Sequence, residues 1–472
     1  MNIVLIKALQ LLCCLSILVI IHEFGHFGFS KLFGVRVEKF YMFFNPYFHL
    51  FSTRDRWFAR LFPRIAKNET EYGIGWVPLG GYVKIAGMID ESLDTEQMKQ
   101  PAQKDEFRSQ PVWKRFLIMF GGVLMNLIAA LVLYSAVMFT WGRDYLPMEH
   151  IKQGFQFNEH ALSLGFVDGD IPVAADGKPI AEWNANVYRT LSKASQVTVL
   201  RQGEEVVITL PEKLNLLHLL QENPPFLTLY APAIIDSVMP GSAMERVGGQ
   251  VGDRLVAVDG KDIITWTDFD GIILRRSDVL AMPDCSAADS LRLRSMDIVL
   301  AKADGSRTDT LTLQLDENYM MGVVRQNPVK FYEMVHEDYT LLSCIPAGLR
   351  RAWSTLKSYV SDLRYVATAD GAKSVGSFIT IGNIFPSAWD WQQFWILTAF
   401  ISIVLAVMNI LPIPGLDGGH IVLLFFEAVT GRQPSERAME WIERVGIFIL
   451  FALMLLAFSN DIRNFVLPIF GL

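Results

Sequence analysis

Two histidines and a glutamate near the start of the chain have the spacing of a zinc hydrolase site. His22, Glu23 and His26 form a His-Glu-x-x-His pattern. Residues four apart on a helix project from one face, so the two imidazoles can bind one tetrahedral Zn²⁺. Glu23 would then reach a water that zinc activates, and would take its proton during attack on a carbonyl. The pattern therefore predicts hydrolysis of an amide bond, with Glu23 as the general base.

These residues lie inside an apolar run that is long enough to cross a bilayer. The run extends from about Ile3 to Leu32, and before His22 only Lys7, Gln10, two cysteines and a serine interrupt it. Ionisable side chains are costly there, so they should face a protein interior or a wet cavity. A hydrogen-bonded histidine pair between helices is the simpler alternative. A cleaved signal peptide is not expected, because the run is too long and no small-x-small site follows it.

The composition is that of a membrane protein with soluble parts. Of 472 residues, 51% are hydrophobic and 19% are charged, and the net charge of -7 argues against nucleic acid as a partner. The cysteines indicate no disulfide framework, because Cys13 and Cys14 are adjacent in the first apolar run while Cys285 and Cys344 stand alone. The sequence does not decide whether Cys285 and Cys344 form a disulfide bridge, and it does not decide the oligomeric state.

Three further apolar runs predict a polytopic α-helical membrane protein with four transmembrane helices, the first within residues 1–35. The others cover about Phe116–Trp141, Phe394–Leu411 and Val445–Leu467, the last within a fourth segment at 442–468.

Charge then predicts the orientation of the crossings. Residues 31–115 contain 14 Lys and Arg against 10 Asp and Glu, and the loop before the fourth run carries Arg432, Arg437 and Arg444. The positive-inside rule places both regions in the cytoplasm. Both termini and the block from Gly142 to Gln393 are then outside, which in a bacterial inner membrane means periplasmic.

The outer block contains an internal repeat. Two stretches place the same turn residues between alternating apolar residues: Gly169-Asp170 with Asp176-Gly177, and Gly252-Asp253 with Asp259-Gly260. The repeat predicts two tandem, β-rich, PDZ-like domains at residues 151–214 and 225–327, with a linker near 222–225. PDZ grooves hold peptides by strand addition. A β-rich domain without peptide binding is the alternative for each.

A third zinc ligand is expected from the third membrane segment, residues 394–420, since two histidines leave a catalytic site one protein ligand short. Pro412 and Pro414 cannot continue a regular helix, and the neighbouring glycines allow unusual backbone angles, so the crossing should break and deliver Asp417 to the metal. His420 is a competing ligand. A helix-capping role for Asp417 is the simpler alternative.

The two motifs together resemble the site-2 protease family of intramembrane zinc metalloproteases, and the PDZ pair resembles its bacterial branch. The resemblance covers nearly the whole chain, and its motifs are His22 to His26 and Asn409 to Gly419. It implies a zinc cofactor on His22, His26 and Asp417, Glu23 as the base, and Asn409 as a side chain that holds the substrate backbone. The implied partners are the lipid bilayer and single-span membrane proteins, which include anti-sigma factors after a first periplasmic cut and remnant signal peptides.

The segment Tyr72–Lys84 resembles the family's membrane-dipping β-hairpin, inside a cytoplasmic or re-entrant region at 36–115. On its residues alone, an ordinary cytoplasmic hairpin is equally compatible with its glycines and alternation. An unwound substrate helix needs replacement hydrogen bonds in lipid, and the edge of this hairpin is expected to supply them as an added strand. The expected substrate contacts are Gly75, Val77, Gly80 and Tyr82, with Asn409 on the other side.

The remaining outer segment, residues 328–393, is predicted to be amphipathic and helical. Ala347–Val360 is basic on one side and carries Trp353 and Tyr359, so it is expected to lie at the membrane surface or to form a plain surface helix. The PDZ pair is expected to act as a size-exclusion gate, which bars substrates with large outer domains until another protease trims them.

Two other function classes are the alternatives to proteolysis. A zinc transporter would spread polar intramembrane residues over most crossings, whereas here they concentrate in the first and third. A PDZ-bearing membrane scaffold with an inactive metal site would not depend on Glu23.

Overall fold

The computed structural model describes residues 3–78, 80–88, 101–210, 214–280, 286–316, 319–366, 368–433 and 435–467. The chain divides into two compact units. The membrane unit combines the residues up to Gly142 with those from Asp338, and the β unit is Arg143–Glu337.

The first part of the membrane unit contains α1 (Ile3–Leu32), β1 (Val37–Met42), β2 (Phe51–Ser52), α2 (Arg56–Leu61), α3 (Pro63–Ala66), β3 (Glu71–Ile74), β4 (Tyr82–Ile85) and α4 (Val112–Trp141). The β unit contains β5 (Arg143–Pro147), β6 (Phe155–Phe157), α5 (Glu159–Ser163), β7 (Ile171–Ala175), β8 (Lys178–Pro179), β9 (Glu182–Trp183), α6 (Asn186–Leu191), β10 (Gln196–Arg201), β11 (Glu204–Thr209), α7 (Leu216–Gln221), β12 (Leu227–Leu229), β13 (Ile235–Val238), α8 (Ala243–Arg246), β14 (Arg254–Val258), β15 (Lys261–Asp262), α9 (Trp266–Leu280), α10 (Ala287–Leu293), β16 (Ser295–Ala301), β17 (Leu311–Gln314), β18 (Val323–Arg325) and β19 (Val335–Glu337). The membrane unit resumes with α11 (Cys344–Val366), α12 (Ala369–Ser374), α13 (Phe378–Asn383), α14 (Trp391–Ile410), α15 (Asp417–Thr430) and α16 (Glu436–Asp461).

Four helices of the described chain are long and apolar enough to cross a membrane, as predicted. They are α1, α4, α14 and the stretch Arg437–Phe465, which includes most of α16. Local signals set the helix ends: α4 follows Pro111 and stops at Gly142, whose φ is +65°. The carboxylate of Asp390 caps α14 by accepting a hydrogen bond from the backbone N–H of Gln393. The protein is therefore a multi-pass membrane protein with β-rich parts.

The helix α4 lies at the centre of the membrane unit, where α1, α11, α14 and α15 all pack against it. Gly25 of α1 and Gly121 of α4 meet so closely that a Cβ on Gly25 would overlap the carbonyl oxygen of Gly121. Small residues permit this approach between membrane helices. The contact brings the histidine face of α1 against the backbone of α4.

A buried ion pair holds α15 to α4. The guanidinium of Arg115 donates two hydrogen bonds to the carboxylate of Glu427, with N···O distances of 3.0 and 2.6 Å. Both side chains are almost completely buried, and a bidentate pair of this kind fixes orientation as well as distance. The end of α15 opposite to Asp417 is thereby anchored.

The predicted hairpin is corrected by the structure, because β3 and β4 are not paired with each other. The sheet order is β2-β3-β1-β4, with β3 parallel to β1 and β4 antiparallel to it. A two-residue turn can join only two antiparallel strands that are neighbours in a sheet. β3 and β4 are separated by β1, so they lie two strand spacings, about 10 Å, apart. The strand that separates them, Val37–Met42, was not recognised in the sequence.

The predicted amphipathic segment, residues 328–393, contains the long helix α11 and the short helices α12 and α13. The apolar face of α11 packs against α4 and α14, with Leu356, Tyr359 and Leu363 beside buried Tyr134 and Ile403. The apolar side of the pattern is thus used mainly within the protein, and Trp353 is exposed on the other side.

The β unit repeats one arrangement of elements twice. In the first module β6 pairs with β12, and a four-stranded sheet has the order β11-β10-β7-β8. In the second module β13 pairs with β18, and the corresponding order is β17-β16-β14-β15. The turns at Asp176-Gly177 and Asp259-Gly260 all have positive φ, as two-residue hairpin turns require. The internal repeat is real, while the PDZ character of each copy stays a prediction.

The first module extends beyond the predicted boundary at 214. Its core includes Phe226 and Leu227, and the hydroxyl of Tyr188 donates a hydrogen bond to the carbonyl of Leu227 at 2.7 Å. Burial raises the pKa of Tyr188 to about 12, so this donor keeps its proton. The residues predicted as a linker also belong to this module, since Asn158 donates to the carbonyl of Pro224. Residues 222–225 have the composition of a loop, but this loop lies inside the first module and is not a boundary between the two modules.

Of the two cysteines for which a bridge was left open, Cys344 is a buried free thiol at the start of α11, and Cys285 lies outside the described residues.

Candidate active site

The three predicted zinc ligands lie together. Nε2 of His22 and Nε2 of His26 are 3.3 Å apart, and both project from one face of α1 because they are four residues apart. Oδ2 of Asp417 lies 3.3 Å from the first nitrogen and 3.4 Å from the second. Within the described part of the chain, these three residues form the group that could hold a metal ion.

The break after α14 delivers Asp417 to the histidines. The helix ends at Ile410, and a loop with Pro412 and Pro414 follows before α15 begins at Asp417. Gly415 in this loop has a φ of +85°, which an L side chain rarely adopts. The prolines and this glycine therefore explain why the chain turns at membrane depth.

The donor set fits a tetrahedral zinc ion. Zinc bonds of about 2.0–2.1 Å place two ligand atoms about 3.3–3.4 Å apart, and the three distances in this triangle are 3.3, 3.3 and 3.4 Å. The Oδ2 atom of Asp417 is buried and accepts no hydrogen bond. A buried carboxylate oxygen without a hydrogen-bond partner is costly, and a cation shared with the two imidazoles would remove that cost.

Backbone and side-chain groups of α4 orient the imidazoles. Nδ1 of His26 lies 2.9 Å from the carbonyl oxygen of Ile118, so this nitrogen carries the proton and Nε2 is free to bind metal. Nδ1 of His22 lies 3.3 Å from Nδ2 of Asn126, whose Oδ1 is buried without a partner. Exchanging the amide oxygen and nitrogen of Asn126 would let Oδ1 accept from that Nδ1.

Gly122 of α4 makes room for both rings. A Cβ at this position would lie 2.5 Å from Cε1 of His22 and 2.6 Å from Nε2 of His26. Asn126 and Gly122 were missed as functional residues. An asparagine inside an apolar crossing was the available signal for the first, whereas nothing local distinguishes Gly122 from other membrane glycines.

Glu23 and Asn409 face the same cavity of about 890 Å³ as the ligand triangle. Nδ2 of Asn409 lies 3.4 Å from Nε2 of His22, so this amide is beside the triangle, at the last turn of α14. Glu23 follows His22 directly on α1 and lines the cavity together with the three predicted ligands.

The sheet contributes the opposite wall of the cavity, chiefly through β4. Gly80 and Tyr82 line the cavity, and the Tyr82 hydroxyl donates to Oδ1 of Asn45 at 3.0 Å. The structure does not bring Gly75 and Val77 to this wall. The N–H of Gly75 donates to the carbonyl of Met42, and Val77 pairs with Phe44.

His420 lies on the same cavity but outside the ligand triangle. Its Nε2 is 3.8 Å from Oε2 of Glu443 on α16, and it is absent from the group of possible metal ligands among the described residues. The geometry favours Asp417 over His420 as the third ligand.

A family model described as peptidase family M50 matches residues 10–453, which include the histidine helix and Asp417. The chain belongs to peptidase family M50. This assignment agrees with the resemblance to site-2 proteases, and the match covers the membrane unit from residue 10 to residue 453 together with the whole β unit.

Relatives of this M50 peptidase are similar to it along nearly their whole lengths. The regulator of sigma-E protease RseP of Escherichia coli is 27% identical over 477 residues, with 95% of this chain and 96% of the relative covered. Protease RseP of Yersinia pestis is 28% identical with the same coverage. A Ralstonia nicotianae protein provisionally named a zinc metalloprotease is 26% identical, with coverage of 98% and 99%. The chain is therefore a zinc metalloprotease of the inner membrane.

Proposed function

We propose that this M50 peptidase hydrolyses peptide bonds within transmembrane segments of single-span membrane proteins, with zinc held by His22, His26 and Asp417. The observation that carries the proposal is the triangle of ligand atoms at tetrahedral spacing, beside Glu23, in a cavity among membrane helices. Soluble substrates would not need a site built into the crossings.

Glu23 serves as the general base. When bound, zinc supplies a Lewis acid that activates water and polarises the scissile carbonyl. Glu23 accepts the proton of the attacking water and passes it to the leaving amine. The amide of Asn409, next to the ligand triangle, holds the substrate backbone near the reacting carbonyl.

The unwound substrate binds as a strand along β4. This strand is at the edge of the described sheet and lines the cavity through Tyr82, Val83 and Lys84. An exposed strand edge offers the hydrogen bonds that a substrate helix loses when it opens in lipid. The substrate contacts are on Gly80 and β4, because Gly75 and Val77 do not line the cavity.

A proline at Val83 tests strand addition, because proline removes a donor from the edge and resists strand geometry. We expect cleavage of a helical model substrate to fall strongly while the metal content of the protein stays unchanged. Equal cleavage rates for Val83→Pro and the natural protein, measured by gel assay, would remove strand addition from the mechanism.

The substrates are anti-sigma factors that have received a first periplasmic cut, and remnant signal peptides. Relatives carry the printed name of regulator of sigma-E protease, which supports the first class. Both termini and the β unit are periplasmic in this proposal, since the basic residues of 31–115 and of the loop before α16 favour the cytoplasm. The two modules of the β unit act as PDZ domains that exclude untrimmed substrates.

The deciding experiment compares the natural protein with Glu23→Gln. Metal content and cleavage of a model single-span substrate are measured on the same detergent-solubilised samples. We expect both proteins to bind about one zinc, and cleavage to fall about a thousandfold or more in the variant, because the base is lost while the ligands are intact. A Glu23→Gln protein that keeps its biological activity would identify a scaffold, and natural protein without zinc would refute the metal site.

A further inference from the structure

The segment between β2 and β3 exposes apolar side chains in a way that a water-facing surface does not. In α2 and α3 and the residue between them, Trp57, Leu61, Phe62 and Ile65 are exposed by 57, 66, 49 and 42%. Trp57 and Leu61 are four residues apart and share one face of α2. Contiguous exposed apolar residues mark an interaction surface.

Unpaired cations accompany these apolar residues. Arg56, Arg60, Arg64 and Lys67 are all exposed, and none of the four has an ion pair with an acidic side chain among the described residues. Arg56 and Arg60 are also four apart, so they form a second face of α2 beside that of Trp57 and Leu61. A short amphipathic element with this division has the composition of a membrane-surface helix.

The nearby acidic side chains are already engaged. Asp55 accepts a hydrogen bond from the N–H of Ser52 and lies 2.9 Å from Nε2 of His49, while Glu71 accepts from the hydroxyls of Tyr41 and Ser52. These hydrogen bonds, against the opposing effect of burial, hold the pKa of Glu71 below its usual value. Both acids therefore stay ionised and bound locally, and they leave the arginines of α2 and α3 free for an external anion.

The position of the segment identifies the occupant. Rings of the first crossing contact the strand that follows α3, since Phe27 meets Tyr72 at 6.0 Å between centroids. Lys31 lies 3.9 Å from Glu69, just after α3. The chain directly after α3 therefore lies beside the last turns of α1, at the end of the apolar run, and β1 begins only a few residues later. The lipid headgroup region is the surface within its reach.

We propose that the α2–α3 segment, residues 53–67, binds the anionic lipid surface of the membrane that the chain spans. Trp57, Leu61, Phe62 and Ile65 enter the boundary between headgroups and acyl chains. The four unpaired cations contact the phosphates of anionic phospholipids. The segment follows β2, which is the edge strand of the sheet opposite to β4. It holds that edge at a set depth in the membrane.

Fluorescence quenching tests this depth in the full-length protein. Bimane is attached to a cysteine at Leu61, after the four native cysteines are replaced by serine, and the protein is placed in vesicles. Matched labels at Gly305, an exposed turn of the β unit, and at Leu455, an exposed position of α16, report water and hydrocarbon. We expect the label at 61 to be quenched by doxyl-labelled lipid and protected from iodide, as at 455. Iodide quenching equal to that at 305 would overturn the proposal.

The charged half of the proposal is tested with lipid composition. Phosphatidylglycerol added to phosphatidylcholine vesicles should increase lipid quenching at 61 in low salt, and high salt should reverse the increase. Arg56→Gln, Arg60→Gln and Arg64→Gln together should abolish this dependence, whereas Lys178→Gln, Lys261→Gln and Arg307→Gln, three exposed cations of the β unit, should not. Protection that is independent of lipid charge would refute the binding of anionic lipid. Protection that persists in detergent and rises with protein concentration would identify a protein contact and refute lipid binding.

Discussion

The arrangement of the two proposed histidine ligands depends on neighbours that are not themselves among the proposed ligands. The carbonyl of Ile118 determines which nitrogen of His26 is protonated. Asn126 would do the same for His22 with its amide oxygen turned toward Nδ1. Gly122 keeps the space into which both rings fit. The site is therefore built from α4 as much as from α1.

Replacing Gly122 with alanine should lower zinc affinity by about tenfold or more, because the new methyl group would displace both rings from the triangle. Zinc titration of the purified variant, with activity measured in parallel, checks this. Gly28→Ala in α1 is the matched control, since a Cβ there meets nothing within 4 Å. Equal affinities for the two variants would show that the rings can shift without loss.

At the scale of elements, α16 supports the loop that carries Asp417. A Cβ on Gly446 would overlap the carbonyl of Pro414, and Gly415 lies against Leu450. Glu443, one turn earlier on α16, lies beside His420. The loop is thus held between the end of α14 and the face of α16.

Gly446→Ala should weaken zinc binding although alanine favours the helix by about 1 kcal/mol. The methyl group would push the loop and Asp417 away from the histidines. Thermal unfolding of the metal-free protein measures the effect on helix stability. The zinc content after dialysis measures the effect on the loop that carries Asp417. The prediction fails if zinc content matches that of the natural protein.

At the scale of the whole molecule, the β unit is one continuous insertion in the sequence of the membrane unit. Strands β5 and β19 pair at its two ends, and Nδ1 of His150 lies 2.7 Å from the carbonyl oxygen of Glu333. The chain therefore enters and leaves the unit at adjacent points. A deletion inside this pair can be closed with a short linker.

Removing residues 151–327 should let the peptidase cut substrates that still carry their outer domains, if the modules act as a size-exclusion gate. Cleavage of trimmed and untrimmed forms of one single-span substrate measures this, and zinc content reports whether the membrane unit is intact. Continued dependence on trimming in a zinc-loaded deletion protein would exclude the gate.

Local patterns were sufficient for much of this protein. The apolar runs predicted four crossings because hydrocarbon thickness sets helix length, and the spacing of His22 and His26 depends only on the helical repeat. Pro412 and Pro414 predicted the break before Asp417 for the same reason, since their effect is on their own backbone. The family assignment agrees with what these motifs indicated.

Only the tertiary structure decided which segments meet. β1 separates β3 from β4, and β12 returns to the first module, because strand partners are chosen by packing between distant segments and leave no local mark. The roles of Gly122 and Asn126 appear only when α4 lies against α1. Spacing along one helix is encoded in neighbouring residues, whereas the fit between two helices depends on the whole fold.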